Sequence, residues 1–352
     1  VVGALLSAGG LALIVLAIVK STDWGWIHPK QALTIGGTEV TPFGFSAVPF
    51  LILAGIPLLY GFASWEERMI RLGRAPLVDL SMLRLRQLRA GVSTQATMML
   101  CLSGTFFVLP LYLQIVLSRD PLETGLRVLP LSLAVFVVSL GASRMAGRFA
   151  PRGMARLGFL VLIGGIALLL ATIEPNLKAA EFLTAMAIVG IGLGLIGAQL
   201  GNVNLSSVKP AQTSEAGGVQ GTGQNLGLAL GTALIGSILL TSLTAAFRAE
   251  ISDNPNLPAN VRTEVSKKAS GGLQFVPAGE ASKAAQQAGL SDGESKALVD
   301  SYEDAQITAL KTALGGVAAV GVLGLWFTRR LPREPMAAGG PPAAAGQPDV
   351  RG

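Results

Sequence analysis

Eight long apolar runs dominate this chain and leave little sequence for a soluble domain. The runs have 18 to 32 residues, and about 20 are enough for an α-helix to cross the ~30 Å hydrocarbon core of a bilayer. They cover residues 1–19, 43–65, 90–116, 125–142, 154–173, 182–201, 216–247 and 307–328. Hydrophobic residues make up 51% of the chain and charged residues only 14%, as expected for membrane spans. We therefore predict an all-α polytopic membrane protein with about eight transmembrane helices.

Arginines cluster in every second loop. The clusters are Arg68, Arg71, Arg74, Arg84, Arg86 and Arg89; Arg144, Arg148, Arg152 and Arg156; and Arg329, Arg330 and Arg333. Loops of the other parity carry mixed charge. A net charge of +6 is compatible with nucleic-acid binding, but the positive-inside rule accounts for this alternation without it. We predict a multi-pass protein of the cytoplasmic membrane, with the lipid bilayer as its partner, no nucleic acid, and both ends of the chain in the cytoplasm.

Three stretches interrupt the membrane pattern. Residues 66–89 are basic and amphipathic, which predicts a cytoplasmic loop along the inner membrane surface. Residues 248–305 are rich in Ala, Ser, Lys and Glu, which predicts short exposed helices in an outer loop. That loop is interpreted as a cap or spacer, with a binding module as the alternative. Residues 331–352 read as a disordered cytoplasmic tail.

The sequence offers little for catalysis. Cys101 and His28 are the only residues of their types, so they form neither a metal cluster nor a histidine-based triad. A membrane-embedded transferase would need carboxylates or histidine near an interface, and Asp79 and Glu123 stand isolated in the sequence. We predict no enzyme, no metal and no cofactor, which leaves a transporter or a non-transporting membrane scaffold.

Polar residues at membrane depth mark candidate ligand contacts, because each needs a partner or water. The candidates for polar substrate-binding residues are Gln95, Tyr112, Gln114, Gln220, Gln224 and Asn225. Phe106 and Phe107 lie between Gln95 and Gln114. Together these side chains would suit a bulky small-molecule substrate of mixed polarity. Hydrogen bonds between helices are the alternative for the amides, and contact with lipid is the alternative for the phenylalanines.

Glycines recur at helical spacing in the sixth and seventh runs. They are Gly190, Gly194, Gly197 and Gly201, followed by Gly217, Gly221, Gly227 and Gly231. Small residues three or four positions apart let two membrane helices approach closely. We predict that these glycines pack helices, with a sliding surface for a conformational change as the sharper alternative.

Several motifs together resemble the drug:H⁺ antiporter group with 14 membrane helices in the major facilitator superfamily. They are Pro76-Leu77-Val78-Asp79-Leu80, Leu109-Pro110-Leu111-Tyr112-Leu113-Gln114, Pro121-Leu122-Glu123-Thr124-Gly125-Leu126, Trp24-Gly25-Trp26 and the glycine-rich stretch 218–231. The stretch 143–152 resembles a cytoplasmic loop of that group. Gly147 stands where the group has an acid, whereas Arg148 and Arg152 match.

The resemblance implies a proton-driven drug exporter whose C-terminal portion is this chain. Residues 1–65 would be two linker transmembrane helices, 66–89 the cytoplasmic loop, and 90–330 the six-helix C-terminal half. The third, fourth, sixth and seventh runs would form a cavity wall, and Arg144, Arg148 and Arg152 would form a conformational latch. An N-terminal six-helix half carrying the proton-coupling acid is expected to be missing from this sequence. The alternatives are an exporter of a metabolite, such as an amino acid, lipid or siderophore, and an incomplete scaffold fragment.

Overall fold

The computed structural model describes residues 2–27, 33–35, 38–40, 44–74, 76–144, 149–255 and 257–334. Within these ranges the chain is a helical bundle, with one short hairpin of strands β1 (Leu33–Ile35) and β2 (Thr38–Val40). The helices are α1 (Val2–Trp24), α2 (Ala47–Arg71), α3 (Arg86–Pro110), α4 (Pro121–Arg144), α5 (Pro151–Thr172), α6 (Ala179–Ser206), α7 (Thr213–Asp253), α8 (Ala259–Ala269), α9 (Ala278–Gln287) and α10 (Asp292–Thr328). A π-helical turn, Leu111–Val116, continues α3, and a 3₁₀ turn, Leu80–Arg84, precedes it.

Eight helices in the described part of the chain are long and apolar enough to cross a membrane, namely α1–α7 and α10. Their order matches the eight predicted runs, which confirms the all-α polytopic fold. Apolar side chains at exposed positions are frequent on their outer faces, as in Leu133, Phe136 and Val322. These faces fit a lipid environment, in which apolar exposure carries no penalty.

Six of the eight helices, α3–α7 and α10, form the bundle. The helix pairs α3–α7, α4–α6, α5–α6 and α7–α10 are in extensive contact. The buried core between them includes Phe159, Leu162, Ile166 and Met186. Helices α1 and α2 pack on each other, and α1 contacts α7 through Ile18 against Ala229 and Ala233. The two predicted linker helices therefore lie beside the bundle rather than within it.

Helices α7 and α10 are longer than a bilayer requires. Their 41 and 37 residues correspond to about 60 and 55 Å, twice the hydrocarbon thickness. Helix α10 begins at Asp292, about four turns before the predicted apolar run at 307. The reason is local, since Ser291 and Glu294 form a capping box and good helix formers follow them.

The C-terminal end of α7 and the N-terminal end of α10, together with α8 and α9, form a structure that we call the outer cap, residues 248–306. Inner and outer denote the sides predicted from the arginine clusters. The predicted short helices are present as α8 and α9. Helix α8 docks onto α7, since Arg248 Nε donates to Ser266 Oγ (3.2 Å) and Arg262 donates to the carbonyl of Ser252 (3.0 Å). The end of α7 is tied to α10, since the Asn254 side-chain amide donates to Ser301 Oγ (2.9 Å). The cap is thus a packed unit, and its apolar residues join the main core.

Candidate functional site

A cavity of about 730 Å³ lies between α3, α4, α6 and α7. These are the four helices that the sequence predicts to form a cavity wall. Most of the lining is apolar, and it is contributed by Met98, Met99, Leu102, Phe106, Phe107, Leu131, Val135, Leu193, Gly197 and Leu228. The volume is in the range of pockets that hold drug-sized molecules, about 300–1,000 Å³. We call this space the central cavity.

Four hydroxyl groups supply the polar lining of the central cavity. Ser103 on α3 and Thr232 on α7 face each other with their hydroxyl oxygens 2.7 Å apart. Ser103 also donates to the carbonyl of Leu228 at 2.8 Å. Ser132 and Ser139 line the α4 side. None of the described residues that line the central cavity is ionisable, so these residues offer weak polar contacts on an apolar surface.

These hydroxyl groups were missed by sequence reasoning. A serine or threonine in a membrane helix can satisfy its hydroxyl on a carbonyl one turn earlier, so the sequence does not distinguish a lining residue from a lipid-facing one. Thr241 and Thr244, elsewhere on α7, bond such carbonyls. Only the helix packing shows that Ser103 and Thr232 share a cavity.

The predicted amides lie outside the lining of the central cavity. Asn225 is exposed and donates to the carbonyl of Gly221 at 3.0 Å. It borders a smaller space of about 270 Å³ beside Leu11 and Val15 of α1. Gln220 and Gln224 are partly exposed on the same helix. Their role as substrate contacts therefore stays a prediction that the packing of α7 does not favour.

Gln95 lies in a second polar cluster near the inner ends of α3 and α6. It is 4% exposed, and its Oε1 has no hydrogen-bond partner in the described chain. Asn204 is fully buried, and both of its amide atoms also lack a partner there. The Asn204 side chain packs against Gly91, one turn before Gln95. Gln95 is thus buried in a helix interface, and the central cavity is lined by residues further along α3.

Tyr112, at the outer end of α3, makes hydrogen bonds that stabilise the fold. Its side chain is fully buried, and its hydroxyl donates to the carbonyl of Glu174 at 2.7 Å and accepts from the Glu174 amide at 3.2 Å. These bonds hold the connection between α5 and α6 in place, and the Tyr112 hydroxyl is already hydrogen-bonded within the protein. Gln114 is exposed on the π-helical turn. Neither residue is among those that line the central cavity.

Most of the predicted latch lies outside the residues that the structure describes. Arg148 and the side chain of Arg144 lie outside the described residues. Arg152 begins α5, and its backbone amide donates to the carbonyl of Pro332 at 3.2 Å. Nearby, Arg156 Nε donates to Thr328 Oγ1 at 3.4 Å. The inner ends of α5 and α10 are therefore tied together, and the latch itself stays a prediction.

Half of the predicted packing glycines make close contacts between helices. Gly190 and Gly194 face Leu131, Val135 and Val138 of α4, and Gly227 and Gly231 face Ala96 and Leu100 of α3. A methyl group would collide with the neighbouring helix at Gly190, Gly227 and Gly231, and at Gly194 it would make a tight contact with Val135 and Val138. Gly197 lines the central cavity, and Gly201, Gly217 and Gly221 have open space beside them.

A short segment after α2, which we call the inner strap (residues 76–85), links the linker helices to α7. The buried Glu66 carboxylate of α2 accepts from the amides of Leu77 (2.6 Å) and Val78 (3.4 Å). The Glu215 carboxylate, in the first turn of α7, accepts from the amide of Asp79 at 2.7 Å. The predicted basic loop is thus held by two carboxylates that sequence reasoning did not single out.

The Asp79 side chain completes the inner strap. It accepts hydrogen bonds from the Ser81 amide at 2.9 Å and from the Gln212 amide group at 3.1 Å. The bonds from Ser81, with smaller contributions from Gln212 and the charge of Lys209, hold the pKa of Asp79 below its ordinary value. The carboxylate form of Asp79 is therefore the one that the strap stabilises.

Comparison with known proteins extends these observations. The sequence profile described as Major Facilitator Superfamily matches residues 1–232. The chain is 29% identical over 268 residues to a "Probable actinorhodin transporter" of Streptomyces coelicolor, covering 75% of this chain and 43% of that protein. It is 29% identical over 256 residues to "Puromycin resistance protein pur8" of Streptomyces alboniger, covering 72% and 46%. It is 26% identical over 250 residues to "Multidrug efflux pump LfrA" of Mycolicibacterium smegmatis, covering 70% and 47%. The matched region thus spans less than half the length of these relatives.

Proposed function

The chain belongs to the major facilitator superfamily, and we propose that it forms the C-terminal part of an exporter of amphipathic small molecules. The observation that carries this proposal is the central cavity, an open, mostly apolar space of about 730 Å³ lined by α3, α4, α6 and α7. The relatives named as a probable actinorhodin transporter, a puromycin resistance protein and a multidrug efflux pump support the same class of substrate.

The chemistry of the lining fits ligands that vary in shape. Methionine side chains are flexible and polarisable, so Met98 and Met99 can adapt to different apolar surfaces. Phe106 and Phe107 offer rings on which aromatic ligands can stack. The hydroxyls of Ser103 and Thr232 can exchange their mutual bond for one to a ligand. Such a surface discriminates weakly, which is the property a broad-range exporter requires.

Transport would proceed by alternating access. In this superfamily two halves related by an axis along the membrane normal rock about a site near the midplane. We propose that residues 90–330 are one half, that a second six-helix half supplies the opposite wall, and that α1 and α2 are linker helices at the side. The tight α3–α7 and α4–α6 packing through glycine supports movement of these helices as a rigid unit.

The energy source in this proposal is a proton gradient. We propose that the coupling acid lies in the second six-helix half, as the family resemblance implies; none of the described residues that line the central cavity is titratable. Orientation follows the positive-inside rule: the arginine-rich loops, including the inner strap, face the cytoplasm, and the outer cap faces away from it.

The experiment is an efflux assay on an intact transporter that contains this chain. Ser132 and the adjacent Leu133 of α4 are both exposed, but only Ser132 lines the central cavity. Ser132→Trp fills the cavity and is expected to abolish proton-driven dye efflux from energised vesicles, whereas Leu133→Trp retains it. Equal activity of the two variants would exclude the central cavity as the route. Efflux that persists without a proton gradient would overturn the coupling.

A further inference from the structure

The outer cap contains a second cavity, separate from the central one. It has a volume of about 460 Å³ and lies between α8, α9 and the outer ends of α7 and α10. We call it the cap pocket. Val261, Val265, Ala281 and Leu298 contribute apolar walls. Its size is again in the range that suits a drug-sized molecule.

Aromatic side chains form one side of the cap pocket. Phe247 at the outer end of α7 and Tyr302 of α10 pack edge to face, with ring centroids 5.6 Å apart at 89°. Aromatic rings favour flat apolar ligands and attract cations over their faces. This pair therefore suits a ligand with an aromatic body and a positive charge.

The wall of the cap pocket is held in place by hydrogen bonds. The segment 273–276 connects α8 to α9, and the Tyr302 hydroxyl donates to the carbonyl of Gln274 at 2.7 Å and accepts from the Val276 amide at 3.0 Å. Gln306 donates to the carbonyl of Val276 at 2.8 Å, and the amide of Leu273 donates to Thr244 Oγ1 at 3.3 Å. A wall fixed in this way lowers the entropy cost of binding a ligand.

The charges of the cap pocket favour a cation. Among its lining residues the ionisable groups at the rim are Glu264, Lys268 and Glu280. Lys268 is paired with Glu264 at 2.9 Å, whereas the described chain shows no ion pair for Glu280. Residues 248–305 hold nine acidic and six basic side chains, although the whole chain carries a net charge of +6. The cap therefore carries a net negative charge within a basic protein. Glu280 is the carboxylate at the cap pocket for which the described residues provide no ion pair.

We propose that the cap pocket binds a drug-sized amphipathic organic cation, with its apolar body against α8, α9 and the Phe247–Tyr302 pair and its charge toward Glu280. This inference selects the binding module over the spacer for the outer cap. It concerns binding at the cap alone and holds whether or not the ligand is exported through the central cavity.

The test is photolabelling of the intact purified chain with ethidium monoazide, a photoreactive cationic dye, and mapping of the adducts by peptide mass spectrometry. Adducts are expected on peptides within 261–302. Ala284→Trp fills the cap pocket from an exposed position of α9. It should raise the dye concentration for half-maximal cap labelling roughly tenfold, the scale of one lost aromatic contact. Gln287→Trp, on the same helix but outside the lining, is the matched control and should leave labelling unchanged.

The charge is tested separately. Glu280→Gln should weaken cap labelling about threefold, the scale of a solvent-exposed charge. Glu250→Gln removes the same charge outside the pocket and should have no effect. Adducts confined to peptides that line the central cavity would overturn the cap proposal and leave the proposed exporter standing. Equal loss in Ala284→Trp and Gln287→Trp, or stronger cap labelling by a photoreactive phospholipid than by the cation, would also overturn it.

Discussion

A stripe of glycines on α7 gives a sharp test of how the cavity wall is assembled. Gly223, Gly227 and Gly231 are spaced by four residues and face Val92, Ala96 and Leu100 of α3, which share that spacing. A methyl group at position 231 would lie 2.5 Å from the carbonyl oxygen of Leu100 and 3.0 Å from the Ser103 Cβ. Carbon–oxygen contacts between helices normally measure about 3.3 Å. Gly231→Ala therefore requires α7 to move away from α3 by about 0.8 Å.

The expected cost follows from two opposing effects. Overpacking a fitted interface costs about 1–3 kcal/mol of unfolding free energy. Replacing a helical glycine by alanine returns about 0.5–1 kcal/mol through backbone entropy. Gly221→Ala lies on the same helix at a position with open space. It should therefore gain the backbone-entropy stabilisation without the overpacking cost. The difference between the two variants thus isolates the overpacking cost of about 1–3 kcal/mol.

The assay is thermal unfolding of the purified chain in detergent, followed by circular dichroism. Gly231→Ala should lower the melting temperature and Gly221→Ala should keep or raise it. The shift should also separate Ser103 from Thr232, whose hydroxyls are 2.7 Å apart, and so weaken substrate binding in the intact transporter. Identical melting temperatures for the two variants would refute the close α3–α7 contact.

Three further predictions concern the supports of the fold. The inner strap is held by charge-assisted bonds that Glu66→Gln or Glu215→Gln weakens, so trypsin should cleave these variants after the exposed Arg84 faster than the wild type. Glu67→Gln, at an exposed position, is the control and should be cleaved at the wild-type rate. Unchanged cleavage of the first two variants would contradict the role of these carboxylates in holding the strap. The pKa of Asp79 is lower in the folded protein than its ordinary value of 3.8, so the Asp79 carboxylate stabilises the fold above that value and this stabilisation is lost as the pH falls through the lower folded pKa. The melting temperature should therefore drop less between pH 6 and pH 3 in Asp79→Asn than in the wild type. An equal drop would exclude this pH dependence. Tyr112→Phe removes the hydrogen bonds to Glu174 and should lower the free energy of unfolding by about 1–3 kcal/mol without changing substrate affinity. Weaker substrate binding with unchanged stability would instead show that Tyr112 contacts the substrate.

The membrane fold was predictable because its determinants are local. Span length, apolar composition and arginine placement are all read along the chain, and they identify the eight helices in order. The boundaries were less predictable, since α10 continues outward on helix propensity and a capping box rather than on hydrophobicity. The sequence therefore predicts the short helices of the cap but not the extension of α7 and α10 into it.

The cavity lining was predicted at the level of helices. Among the side chains named from the sequence, Phe106 and Phe107 lie in it, whereas the hydroxyl groups that line it were not identified. Amides stand out in an apolar run, yet Asn225 satisfies its amide on its own helix and Gln95 is buried between helices. Which face of α3 meets α7 depends on the glycine stripe, and that contact is long-range. The hydroxyls of Ser103 and Thr232 become a site only after this packing is fixed.

The most direct test of the central claim is substrate protection of a cysteine placed in the central cavity. Ser132→Cys, in a Cys101→Ala background within an intact transporter, is labelled with a maleimide in the presence and absence of an exported dye. Leu133→Cys is the lipid-facing control. The dye is expected to slow labelling at position 132 and to leave labelling at position 133 unchanged. Equal labelling at position 132 with and without saturating dye would contradict a substrate site between α3, α4, α6 and α7.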